Sequence, residues 1–573
     1  MASHSTAHYF LEGLADLGVE YLFSNLGTDH VSLIEELARW DGEGRPHPRV
    51  ILCPHENVAI HMAGGYAALT GRGQAVLVHV DAGTANASMG MHNLFRARIP
   101  VFLMAGKSPH TLRGELPGSR DNYVHFVQDP YDIGSLVRPY VKWEYSLPSG
   151  VVAKEALTRG HALMQSDPAG PVYMSLPRET LAERWDESAI RAFPPARYGP
   201  VSAGGMAPEC ARRIASRLLA AENPIAIASY LGRSPAAMAA LEALAHECGI
   251  RVFESNPANL NISRDSPCFA GFDAGAAIAG ADVGLLLDVD VPWLPKYVPD
   301  NPGLFWVHID VDAVKKDFPM WGFATDVRVQ ADCATALAQV LEIVRAEADA
   351  GFRARVEARI ASWESARHAR RQRIAAAAGI SGKSGAVSPD FLCAALDAAL
   401  GRDDIVINEA IRNTFPVLNQ IMRTRAQTYI GLSGGGLGFS GGMALGAKLA
   451  RPRNRVVQIV GDGGFHFSTP TSVYAVAQQY GLPIFTVVMD NGGWQAVKEA
   501  VVRVYPDGSA AAANNFQSRL EGAQRRFEQV ATAFGAHGEA VSEPGDVAAA
   551  IKRCLAAVDA GRAAVLAVRV TQL

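Results

Sequence analysis

Apolar runs of about four to eight residues recur along the chain, each closed by small or polar residues and followed by a longer stretch of helical spacing. In the first third a helix over Thr6–Leu17 precedes strands over Glu20–Ser24, Arg49–Cys53 and Gln74–Val78 and the apolar strand IPVFLMAG, with helices such as NVAIHMAGGYAALTG between them. From about residue 205 to 345 the rhythm returns in PIAIASY, IRVFES, VGLLLDVD and LFWVHIDVD, separated by helices such as SPAAMAALEALAHECG. It returns again in the last third, with strands over Ile405–Ile407, Val456–Val460 and Pro483–Met489. Strict alternation of strand and helix implies parallel sheets wound on both faces. Two irregular stretches divide the chain: the proline-containing ESAIRAFPPARYGP, and an Ala- and Arg-rich helix that runs out into GISGKSG. The pattern therefore predicts three doubly wound α/β domains, over 1–185, 200–345 and 386–573.

Composition changes this picture little. At 49% apolar and 19% charged, with a formal net charge of -4, the chain is ordinary globular and gives no reason to expect nucleic acid or a charged membrane as partner. No run has the apolar length of a bilayer span, and MASHSTAHYF lacks a basic region leading into an apolar one, so the expectation is a soluble cytoplasmic protein. The seven cysteines are scattered without paired spacing, which reads as reduced, buried thiols. The arginine-dense helix has acids interspersed and few aromatics, so it reads as a solvated connector.

The chemistry gathers at Arg455–Trp494, RVVQIVGDGGFHFSTPTSVYAVAQQYGLPIFTVVMDNGGW. Two strands joined by a helix form a right-handed βαβ unit, so their carboxyl ends share one edge of the sheet, where ligands bind in open α/β folds. Asp462 and Asn491 converge there, and such hard oxygen donors suit magnesium held with a phosphate group. GDG followed after a gap by an Asn next to an Asp resembles the signature of thiamine diphosphate enzymes. The resemblance implies that Asp462, Asn491 and the Gly493 carbonyl ligate the magnesium ion that bridges to the diphosphate, with Gly461, Gly463 and Gly464 beside the cofactor. The helix starting near Thr469 is expected to aim its amino end at the same edge.

Other segments carry the same resemblance. PHENVAIHMAGGYAALTG is similar to the stretch that supplies the family's activating glutamate. Glu56 alone reads as a helix-capping carboxylate, but by resemblance it hydrogen-bonds the aminopyrimidine ring and activates the cofactor. SGGGLGFSGGMALGAKLA resembles the run in which a large apolar residue bends the cofactor, placing Leu437 in that position with Gly436 beside it and Asn408, at the end of an earlier strand, also on the cofactor. Gly436, Gly438 and Gly441 fit GxGxxG as well, with Asp462 about twenty residues on; the dinucleotide reading is set aside because no clear strand precedes the glycines and Asp462 belongs to the longer pattern. VHVDAGTANASMGMHNLFRARIPVFLMAGKSP looks most like benzoylformate decarboxylases and gives His79 a catalytic role. As a neutral imidazole it could orient a carboxylate or carry a proton; alone it reads as a packed strand-end histidine. In SNLGTDH, Thr28 and Asp29, with His30 beside them, either cap the next helix or face substrate. RDNYVHFVQDPYD resembles the segment that carries a cofactor-adjacent glutamine in acetolactate synthases and benzaldehyde lyases, which implies that Gln128, with Trp494, lies in the substrate pocket. VVRVYPDGSAAAANNF is a candidate lid, and Trp293 reads as domain packing.

The implied protein is a thiamine diphosphate- and magnesium-dependent enzyme that makes or breaks a carbon–carbon bond next to a carbonyl. A 2-oxo acid decarboxylase with carboligase capacity is preferred, on the His79 segment and the GGLGF run. The alternatives are a 2-hydroxyacyl-CoA or acyloin lyase and an acetolactate-synthase-like condensing enzyme, so the substrate is a 2-oxo acid, an aldehyde or an acyl-CoA. The close at VRVTQL leaves little tail to fold over CoA. A catalytically silent regulator is a further alternative, against which the presence of Glu56 and the metal pair weighs. In the family the cofactor lies between the first domain of one subunit and the last of another, which implies a homodimer or homotetramer.

Overall fold

The computed structural model describes residues 3–192, 194–520 and 525–571. Phe193 of the proline-containing linker and the last two residues of VRVTQL lie outside the described residues. Three six-stranded sheets carry the fold, and every pairing within them is parallel. The central strands Val456–Gly461, Phe485–Asp490 and Gln74–Val78 are buried almost throughout, which is why they read as unbroken apolar runs: helices cover both faces.

Numbered by chain order within each sheet, the strands of the first and last sheets both run 2-1-3-4-6-5. The first sheet is ordered Arg49–Leu52, Tyr21–Asn25, Gln74–Val78, Val101–Lys107, Val172–Pro177, Glu144–Ser146; the last is ordered Tyr429–Ile430, Ile405–Glu409, Val456–Gly461, Phe485–Asp490, Ala564–Arg569, His537–Val541. The middle sheet runs 3-2-1-4-5-6, with Ile225–Ala228 and Val283–Leu287 at its switch point.

Most strands fall within a residue or two of the apolar runs that predict them. Three differences matter for the site. The strand over 405–407 continues to Glu409, so Asn408 and Glu409 lie in the sheet. A two-residue strand, Tyr429–Ile430, does precede the glycine-rich turn, too short to leave a pattern. The helix between the two strands of the βαβ unit is broken at Thr469 (φ 51°) into Asp462–Phe467 and Pro470–Tyr480, so the amino end at the sheet edge begins at Asp462 and not near Thr469.

The first and last units are joined by a helix pair, Glu56–Thr70 against Ser440–Ala450. The pair closes on glycines. A Cβ on Gly65 would lie 2.2 Å from the Met443 carbonyl oxygen, and one on Gly446 2.0 Å from that of Met62. The Ala- and Gly-rich composition of both helices thus serves helix contact at the closest approach.

In a sheet of the middle unit's order the switch-point crevice is where a dinucleotide would sit. Here it is filled. Lys315 Nζ donates to Asp310 (2.6 Å), Tyr230 Oη (2.7 Å) and Asp290 (2.8 Å), and Arg233 donates to Asp288 (2.6 Å). Arg98 reaches in from the first unit, pairing with Asp290 at 2.7 Å and lying 3.9 Å over the Tyr230 ring. Trp293 is buried against Trp306 and Phe323, as packing requires. All seven cysteines are free thiols, six of them buried. Among the described residues no helix is long and apolar enough to cross a membrane.

Candidate functional site

The carboxyl edge of the last sheet is built around one carboxylate. Asp462 opens its helix directly after the strand and accepts from Gly463 N (2.9 Å), Gly492 N (2.9 Å) and Gly493 N (2.8 Å), so it folds the 490–493 turn over itself. That turn needs glycine: Gly492 and Gly493 have φ of 90° and 138°, and a Cβ on Gly493 would meet Ser518 O at 2.2 Å. Asn491, also buried, stands in the same turn. Burial, reinforced by the neighbouring Asp490 carboxylate, pushes Asp462 up to about 7. Asp490 is held by Arg525 and Arg569, whereas among the described residues no Lys, Arg or His pairs with Asp462. A buried carboxylate, a carboxamide and a glycine carbonyl form a hard-oxygen donor set, and a divalent cation is the partner that would relieve it. Space beside Gly461 is open, while Gly463 is covered by the Trp494 indole.

The glycine-rich turn is pinned from below. Glu409, fully buried at the end of its strand, accepts from Gly438 N, from Ser440 N (2.9 Å) and from Ser440 Oγ (2.5 Å). Burial raises its pKa to about 7, against those hydrogen bonds. Ser440 Oγ in turn accepts from Gln458 Nε2, and Gln458 Oε1 from Thr486. Gly438 has φ 88°, and its carbonyl accepts from Asn57 Nδ2 at 3.1 Å; Gly436 exchanges hydrogen bonds with Asn93 at 3.0 and 3.1 Å. Leu437 between them is half-buried and belongs to no core cluster among the described residues. Asn408 donates to Tyr429 Oη (3.1 Å) and lines a cleft of about 160 Å³ with Ile411, Thr414 and Leu432.

On the first unit, Glu56 occupies the first turn of its helix, buried, with one carboxylate oxygen accepting from Asn25 Nδ2 (2.8 Å) and the other from Asn86 Nδ2 (3.0 Å). The His79–Gly83 turn borders it: a Cβ on Gly83 would be 3.3 Å from Glu56 Oε1. His79 Nδ1 pairs with Asp29, and Nε2 donates to Gln128 Oε1 at 3.0 Å. An imidazole that donates at both nitrogens is charged. The hydrogen bond to Asp29 accordingly raises the His79 pKa, which favours imidazolium over the neutral ring expected from the sequence. Asp29 is buried, which opposes its ionisation, yet His79 and then His30 hold it below the usual carboxylate range. Two glycines make room: a Cβ on Gly106 would lie 1.3 Å from Asp29 Oδ2, and one on Gly27 2.0 Å from His79 Nδ1.

Asp29, His79 and Gln128, three separate readings in the sequence, are thus one hydrogen-bonded group. Thr28 stands beside it, 3.4 Å from His125 Nε2. Asn25, Asn86, Asn57, Asn93 and Glu409 were not singled out from the sequence. Asn25 ends the strand Tyr21–Asn25 and Asn86 lies in the second turn of the helix Val80–Ala97, and an amide close behind a strand end near a needed carboxylate is the signal that could have found them. The candidate lid, residues 501–516, begins in the last turn of a helix, Gln495–Val504, that has no buried residue, and it contains a second short helix, Ser509–Ala512.

Comparison with known proteins gives a consistent result. Residues 4–135 match the thiamine pyrophosphate enzyme N-terminal TPP binding domain, and residues 415–568 match the C-terminal TPP binding domain. The chain is 24% identical over 493 residues to a benzoylformate decarboxylase of Pseudomonas aeruginosa, covering 84% of this chain and 85% of that one. It is 24% identical over 573 residues to the acetolactate synthase isozyme 3 large subunit of Escherichia coli, covering 96% and 92%. The solved thiamine diphosphate-dependent 4-hydroxybenzoylformate decarboxylase of Rhodococcus jostii RHA1 shares the fold, with a TM-score of 0.79 over 99% of each chain at 21% identity.

Proposed function

The chain belongs to the thiamine diphosphate-dependent enzymes, and we propose that within them it is a magnesium-dependent 2-oxo acid decarboxylase with carboligase capacity. The observation that carries the choice is the Asp29–His79–Gln128 group beside Glu56. A charged imidazole at the rim of the Glu56 pocket attracts the carboxylate of a 2-oxo acid, and Gln128 marks the side from which it is approached. We assign residues 1–185, 200–345 and 386–573 to the pyrimidine-binding, middle and diphosphate-binding domains.

When bound, thiamine diphosphate supplies the carbon nucleophile and the electron sink for cleavage next to a carbonyl. Asp462, Asn491 and the Gly493 carbonyl would hold magnesium and through it the diphosphate; Gly461, with open space beside it, and the 463–464 backbone line its approach. Leu437, kept out of the core on a turn pinned at both ends, would bend the cofactor. Glu56 would share a proton with the pyrimidine ring, and its two asparagine donors fix where that proton sits. His79 holds a proton at Nε2 on Gln128 and can pass it to a substrate group.

Glu56 draws its partners from the first unit and Asp462 draws its own from the last, which supports a site completed between subunits of a homodimer or homotetramer. Tyr123, Phe126, Val127 and Tyr131, exposed around Gln128, are apolar surface for that contact. The test is a panel of aromatic, branched and linear 2-oxo acids assayed with cofactor and magnesium. Release of carbon dioxide that depends on both is expected, with acyloin formed when an aldehyde is added. Release from none of them, with cleavage of a 2-hydroxyacyl-CoA instead, would overturn the proposal.

A further inference from the structure

Buried guanidinium groups in this protein find carboxylates. Arg98 pairs with Asp290, Arg233 with Asp288, Arg264 with Glu254 and Arg178 with Asp121. One group of partly exposed arginines has no such partner: Arg251, Arg367 and Arg370 are half-buried and Arg373 is exposed. Arg251, Arg367, Arg370 and Arg373 converge on a cavity of about 310 Å³ between the connecting helix Glu364–Gly379 and the open edge of the middle sheet, and among the described residues none of the four side chains donates a hydrogen bond or joins an ion pair. Asp273 is the single acid in the lining.

The walls are aromatic. Phe253, Phe269 and Trp363 line the same space, and the Arg370 guanidinium lies 4.6 Å over the Phe269 ring. The edge strand is cut to fit: Gly271 has φ 118°, and a Cβ there would come within 3.3 Å of Arg370 Nη1. Burial, then the like charge of Arg371, Arg367, Arg264 and Arg373, brings the Arg370 pKa down to about 10. Gathering unpaired cations in a partly buried, apolar pocket is costly unless an anion completes it. A planar guanidinium fork matches carboxylate or phosphate, and aromatic walls match a ring.

We propose that this cavity binds a small organic anion carrying at least two negative charges and an aromatic ring, with the charge on Arg367, Arg370 and Arg373 and the ring against Phe269 and Trp363. The site is separate from the Glu56 and Asp462 edges and from the switch-point crevice, with which it shares no lining residue, and it rests on none of the assignments made for them.

Calorimetric titration of the holoenzyme, at fixed free magnesium, tests it with three probes: ADP and benzene-1,2,4,5-tetracarboxylate, which carry phosphate and carboxylate charge on ring compounds, and inorganic pyrophosphate, which has charge alone. At least one ring-bearing probe is expected to bind, about tenfold or more tighter than pyrophosphate, and which one identifies the acid group. Arg367→Gln with Arg370→Gln should weaken that probe about tenfold or more and leave thiamine diphosphate affinity unchanged, which also reports an intact fold. Trp363→Leu should weaken the ring-bearing probe and leave pyrophosphate as it was. Failure of both ring-bearing probes to bind at millimolar concentration, or binding unaltered in the double variant, would overturn the site; pyrophosphate binding as tightly as ADP would overturn the aromatic half of it.

Discussion

The first and last units share one strand order and differ in what they put at the same edge. In each, the third strand runs to the crevice beside the first strand, and the residue after it carries the chemistry: His79 in one, Asp462 in the other. In each, a helix follows the second strand, and the two helices are the pair that packs on glycine. Yet the first unit's edge is made of side chains that hold protons, with Glu56 between two asparagines and His79 between Asp29 and Gln128. The last unit's edge is made of backbone and glycine, with carboxylates turned inward to fix loops. One scaffold therefore supports a proton-handling face and an anion-anchoring face, and strand order alone does not decide which.

This division can be broken or sharpened by substitution. The largest effect is expected from Glu56→Gln, with turnover falling about 10²- to 10⁴-fold while cofactor affinity stays within a few-fold. Steady-state rates and calorimetry on the same sample check it, and a parallel loss of affinity would mean that the two faces do not divide the work. Next, Asp462→Ala should reduce magnesium-dependent cofactor affinity at least about 10- to 100-fold, since even outer-shell partners of a metal cost that much; affinity equal to the parent's would remove Asp462 from the anchor.

Asp29→Asn should then lower kcat/KM for a 2-oxo acid by about 10- to 100-fold, as expected for a group that sets a general acid. It carries a pH signature. Because His79 is raised above its ordinary 6.5, the stability that the pair adds is complete below 6.5 and is lost as pH rises through the folded value. Asp29, held below 3.8, keeps its charge until the pH falls under that. Denaturation midpoints measured across pH should show the alkaline loss in the parent and not in Asp29→Asn; the same slope in both would return His79 to a packing role. The smallest effect is Gly65→Ala, which overpacks the helix pair and should cost about 1–3 kcal/mol in a denaturant titration.

Much of this was legible in the sequence, because the features that repeat are the ones periodicity reports. The three sheets follow from apolar runs with turns behind them, and Asp462, Asn491 and Glu56 sit in short contiguous segments. What was hidden depends on residues distant in the chain. Asp29 and His79 each had a local explanation as cap or strand end, and only the fold puts Gly106 beneath Asp29 and lets them meet. Glu409 was hidden by a strand two residues longer than its apolar run. The arginine pocket was hidden because the connecting helix, taken alone, is a solvated surface; its lining comes equally from strands about a hundred residues earlier.

The glycine contacts between the Glu56 and Ser440 helices have a consequence for how such a protein diversifies. With Cβ positions already inside the partner's carbonyl oxygens, that interface has no slack in either direction, and the Asn57 bond to Gly438 ties the start of one helix to the turn before the other. It behaves as a gauge, fixing how the Glu56 helix stands to the Leu437 turn of the same chain, and so, where sites are shared between subunits, how one site stands to the next. Variation that alters chemistry at one helix would be transmitted to the other, so change is cheapest where nothing rests on it. The unburied helix Gln495–Val504 and the exposed turn after it, residues 505–507, are such places. A new substrate would be reached by rewriting those margins while the ruler between the helices stays unmarked.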